Sequence, residues 1–159
     1  MPNETGPYTN SDFVRDHGRA SALKMRRWGR ITGFSAVYRQ RDPTKGSLPG
    51  VLAFGANVAV YRTVRGAAAA LADPESGCRQ KGFTVIPVAG HRAIGPGTLV
   101  CTKGAVIRRL RVRIFLVVWR NSRATGGVDV MAAEGAVTPV AALTGARKQD
   151  RRMTAELRD

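Results

Sequence analysis

At 159 residues the chain has the size of one domain, able to bury about two thirds of the surface that its unfolded form exposes. An apolar content of 43% and a mean hydropathy of -0.18 exclude wholesale disorder, and no run approaches the ~20 apolar residues of a transmembrane helix. Charge is the outlier: 26 Lys+Arg against 11 Asp+Glu give +15. Such an excess attracts polyanions, whether nucleic acid, an anionic membrane surface or an acidic cell-envelope polymer. It also reads as plain solubility or an Arg-rich codon bias, since Arg greatly outnumbers Lys.

In chain order, residues 1–10 read as a polar tail, without the apolar core of a signal peptide. The chain is therefore expected either to stay in the cytosol or to have lost a leader. Ser11 and Asp12 cap a predicted helix over 11–28 that Gly29 stops, with Gly18 as its weak point. Residues 30–40 predict a strand with Phe34, Ala36 and Tyr38 on one face. The Pro- and Gly-rich stretch 42–50 is a loop. Residues 51–61 predict a second strand, with Leu52, Phe54, Ala56, Val58 and Val60 on one face. Thr63 caps an Ala-rich helix over 64–72 whose small side chains allow close approach to a sheet.

Residues 83–88 predict a short strand, 91–97 a loop, and 98–102 a strand paired with the next. That next strand, within 105–120, is the most informative stretch. Leu110, Val112, Ile114, Leu116 and Val118 form one apolar face; the other begins as Arg109, Arg111, Arg113 and changes to Phe115, Val117, Trp119. One face is expected to be wholly buried, the other only in its second half. Residues 127–131 predict the following strand. Thr138 as cap and Pro139 at the first helical position open a last helix reaching about Leu157, with Ala142, Ala146, Met153 and Leu157 as its buried stripe. The order defines an α+β domain over 11–159, an antiparallel sheet with an N-terminal, a short middle and a C-terminal helix packed on it.

Catalytic chemistry finds little footing. The two histidines, His17 and His91, sit in no catalytic signature, and the carboxylates are scattered without a glycosidase-like pair. Two cysteines with two distant histidines make no zinc signature, and no phosphate loop or dinucleotide fingerprint is present, so no enzyme, metal or cofactor is expected. Cys78 and Cys101 flank a Gly- and Pro-rich segment that one disulfide would pin, worth roughly 3 kcal/mol in the chain-entropy model, and such a bond implies an oxidising compartment. The other reading is two unrelated buried thiols. Two basic clusters stand out, Lys24, Arg26, Arg27 and Arg30 around Trp28, and Arg109, Arg111 and Arg113 on the strand, and all of these but Arg30 are candidate polyanion contacts. The alternative is that Trp28 anchors the first helix to the sheet and the charges are merely solvated.

The segments Arg27-Trp-Gly-Arg-Ile-Thr-Gly-Phe34 and Val58-Ala-Val-Tyr-Arg-Thr-Val-Arg-Gly-Ala-Ala68, the strand over 112–119 and the final helix with Ala146-Arg-Lys-Gln149 resemble a loose group of small bacterial proteins that are exported, often as lipoproteins. The layout is similar to the PsbP-like α+β sandwich of some mycobacterial-type lipoproteins. The resemblance implies a non-enzymatic envelope protein that binds a ligand or partner, and has no catalytic residues to carry over. Beside it stands a second expectation, a cytosolic nucleic-acid or polyanion binder using the six basic residues above.

Overall fold

A single antiparallel sheet of seven strands organises residues 4–40 and 49–157, the part of the chain that the computed structural model describes. Strand β1, Glu4–Pro7, is followed by helices α1, Asn10–His17, and α2, Ala20–Trp28. Strands β2, Arg30–Arg39, and β3, Val51–Tyr61, precede helix α3, Val64–Ala72. Then come β4, Thr84–Val85; β5, Leu99–Ile107; β6, Leu110–Asn121; β7, Ala124–Ala133; and helix α4, Pro139–Glu156. The spatial order is β1-β2-β3-β7-β6-β5-β4. The α+β class, with helices before, between and after the strands, is therefore as expected; most of the loop over 42–50 lies outside the described residues.

Three local expectations are corrected. The supposed tail contains β1, which pairs with β2 through Thr5 opposite Ala36 and Pro7 opposite Phe34. The single N-terminal helix is two, because Gly18 at φ 81° and ψ 165° leaves the helical region. Thr9, rather than Ser11 or Asp12, caps the first in a reciprocal box: the Thr9 N–H donates to Asp12 Oδ2 (2.9 Å) and the Asp12 N–H to Thr9 Oγ1 (3.2 Å). The third concerns β6. Leu110 is 42% exposed and Ile114 and Leu116 are only half-buried, whereas Phe115, Val117 and Trp119 on the other face are buried. The reason is what lies over each face: α4 packs on β6 and β7, and its Ala142, Leu143, Ala146 and Met153 close over Phe115, Val117, Trp119, Val128 and Val130.

The opposite face is covered at one end. There Trp28 of α2 and Ala67 and Ala70 of α3 pack with Tyr61, so Trp28 is an anchor. Gly66 makes this possible, since a Cβ there would lie 1.9 Å from the Trp28 carbonyl oxygen. Small residues in α3 thus let two helices and a sheet meet, as its alanines suggest.

Candidate functional site

The sequence-predicted residues fall into three places. Cys78 and Cys101 come together, with Sγ atoms 2.14 Å apart and Cα atoms 5.5 Å apart, within the normal span of a disulfide. The pair is buried beside Val118 and ties the turn after α3 to β5. The two basic clusters are not brought together. Lys24, Arg26 and Arg27 lie on α2, which ends where Arg30 pairs with Tyr61. Arg109, Arg111 and Arg113 lie at the far end of β6, a strand spanning roughly 40 Å.

Within each cluster some charge is already spoken for. Lys24 donates to Glu75 Oε2 (2.6 Å) and Asp73 Oδ1 (3.2 Å), and the Glu75 contact leads in raising its pKa. Arg113 donates to Glu134 Oε1 at 2.6 Å. Arg109 is not on the strand: with Arg108 it forms the β5–β6 turn, at φ 69° and 47°, the geometry of a two-residue hairpin loop. The arginine ladder is therefore only Arg111 and Arg113, and Trp28, the aromatic of the other cluster, is buried.

The most apolar of the concavities is one that the pattern of the sequence did not mark. Helix α4 covers β6 and β7 but stops short of β2, leaving an apolar groove of about 510 Å³ between its flank and the β2–β3 half of the sheet. Phe34, Tyr38, Phe54 and Val58 make its floor; Met153 and Leu157 belong to its helical wall. Phe34 and Tyr38, read from the sequence as sharing one face of a strand, do share it and are 48% and 50% exposed. Gly145 sets the width at one end, since a Cβ there would meet the Phe54 ring at 2.9 Å.

Polar contacts fix the wall. The Trp119 indole N–H donates to Asp150 Oδ1 (2.9 Å), and Asn121 Nδ2 donates to Asp150 Oδ1 (2.8 Å) and Thr154 Oγ1 (2.7 Å). On the groove side, Gln149 Nε2 donates to the Asn57 carbonyl at 2.8 Å. Its Oε1 is buried with no hydrogen-bond partner, an acceptor whose desolvation is uncompensated. Lys148, Arg152 and Glu156 follow one another at successive turns along the same wall. Neither cation is in an ion pair among the described residues.

Among the described residues no helix is long and apolar enough to cross a membrane, and no three His, Cys, Asp or Glu side chains are grouped to hold a metal. No protein-family model, curated protein or solved structure matches the chain.

Proposed function

We propose that this chain is a non-catalytic ligand-binding domain of the bacterial envelope, and that the groove beside α4 receives an amphiphile with an apolar body and an anionic head. The groove carries this reading. Its volume lies within the ~300–1,000 Å³ of small-molecule sites. Its floor is aromatic and aliphatic, and half-exposed Phe34 and Tyr38 remain in water unless something covers them. Two cations against one acid on the wall favour a negative head. The lining holds no histidine, cysteine or carboxylate pair, which supports binding rather than catalysis. The cysteine pair supports an oxidising compartment, in keeping with the resemblance of residues 27–34 and 58–68 to exported bacterial proteins.

The test is calorimetric titration with saturated fatty acids of increasing length and with alkyl amines as controls. Each buried methylene is worth up to about 0.8 kcal/mol, so two more carbons tighten binding by as much as about fifteenfold. The acid should outbind the amine of equal length, and Phe34→Ser or Lys148→Glu with Arg152→Glu should weaken it. Absence of binding at every length, or affinity independent of length, overturns the proposal.

A further inference from the structure

A second cavity lies away from the groove, where the C-terminal turn of α2, the start of α1 and the β3–α3 junction meet. It encloses about 830 Å³ and is lined by Arg26, Arg27, Arg30 and Arg62, with no acidic residue in its wall. Three of these guanidiniums are on exposed residues, and none of the three is in an ion pair among the described residues. Arg30 is different. It is 6% exposed, yet its acceptors are neutral: the Asn10 side-chain oxygen and, at 2.8 Å, the Tyr8 carbonyl. The rings of Tyr8 and Phe13 lie 5.7 and 5.3 Å from its guanidinium carbon.

Dipoles and ring faces soften the desolvation of that cation, and the Asp12 carboxylate acts on it through space without an ion-pair contact. Arg26, Arg27 and Arg62, like charges around one concavity with the buried Arg30 behind them, repel one another, and a multivalent anion relieves that repulsion at the three exposed positions together. Phosphate fits best: its oxygens can engage several planar guanidinium forks at once, where a carboxylate engages one or two. Thr63, the cap of α3, also lines the cavity, placing the positive end of that helix at its border. We infer that this cavity binds the phosphate group of a phosphomonoester or diphosphate, carried either by a soluble molecule or by a lipid headgroup.

The inference does not depend on the groove, and the experiment keeps the two apart. The intact chain is titrated at low salt with sodium pyrophosphate, and separately with phosphatidylcholine vesicles with and without phosphatidic acid. Arg27→Ser with Arg62→Ser removes exposed charge without touching the buried Arg30, and should weaken binding about tenfold or more. Lys148→Ser with Arg152→Ser, in the groove wall, should leave it unchanged. Pyrophosphate binding lost in the first variant assigns a soluble phosphate ligand; binding only to phosphatidic acid vesicles, lost in the same variant, assigns a lipid headgroup. No binding in either arm, or equal weakening by both variants, overturns the site.

Discussion

Val117 and Ile114 sit three residues apart on the same strand and face opposite sides of the sheet, and their burial ranks them. Val117 is fully buried beneath α4, Ile114 is half-buried, and Arg111 is exposed. An unpaired carboxylate at Val117 has no solvent to reach, so Val117→Asp should cost several kcal/mol and unfold a domain of ordinary stability. Ile114→Asp should cost clearly less, and Arg111→Asp under about 1 kcal/mol. Urea melts of the three variants test the order; a larger loss at Ile114 than at Val117 would show that α4 does not cover the face described.

Asp129, half-buried like Ile114, has its carboxyl already in place. It lies opposite Gly55 and Leu116 on the side away from α4, leaning into the space that a side chain at Gly55 would fill. Burial raises its pKa. The folded carboxyl therefore holds its proton to higher pH than the unfolded one. Its penalty is absent below the unfolded pKa and grows as pH rises through the folded one. Asp129→Asn should raise the melting temperature at neutral pH, by on the order of 2–4 °C per kcal/mol relieved, and the gain should vanish in acid. Thermal scans at pH 7 and near pH 3 check the sign; a loss at neutral pH would mean that the carboxylate has a stabilising partner.

Among the elements, α4 does most to shape the molecule, and the Asp150 contacts hold its C-terminal half to β6. Asp150→Ala leaves the buried Trp119 N–H without an acceptor and should cost about 1–3 kcal/mol, read by denaturant titration. It should also loosen the groove wall and weaken amphiphile binding. The helix itself was legible: Thr138, Pro139 and a small-residue stripe announced it, as Thr63 announced α3 and period-2 runs announced β3 and β6. Its lateral placement was not. A periodic pattern tells which face is apolar but not whether the covering helix reaches β2. The pattern therefore places Phe34 and Tyr38 on one face without telling that they floor a groove. Strand β1 was hidden because four residues including Gly6 and Pro7 show no alternation, and only pairing with β2 makes them a strand. Three of the arginine cavity's residues, Arg26, Arg27 and Arg30, were already grouped in the sequence. Arg62 joins them only through tertiary contact, its N–H bonding the Gly29 carbonyl at 2.9 Å.

For the whole molecule, the cysteine pair limits the unfolded chain more than the folded one. A closure over a sequence separation of 23 is worth roughly 3 kcal/mol in the chain-entropy model. Reduction should lower stability by about that amount while leaving the fold in place. Mass analysis after alkylation should show no label until reductant and denaturant are added; two labels on protein kept from reduction would remove the argument for an oxidising compartment. The +15 charge is a property of the whole chain, so its summed field is a separate matter from the acid-free cavity, where position decides.

The strand order also has a kinetic meaning. Strands β1 to β3 form one ladder of sequence neighbours and β4 to β7 another; only the β3–β7 pairing, with Val60 opposite Ala124 and Val51 opposite Ala132, joins them. Closing that seam costs loop entropy that neither ladder meets alone, and the Cys78–Cys101 bond lies within the second half and does not bridge it. The chain's two tryptophans fall one on each side, Trp28 with the first ladder and Trp119 with the second. In stopped-flow refolding, Trp28→Phe and Trp119→Phe should separate early signals of the two halves. A fluorescent fatty acid should light up only with the slowest shared phase, because its floor comes from one half and its wall from the other. A ligand signal preceding that phase would mean that the groove assembles before the seam is closed.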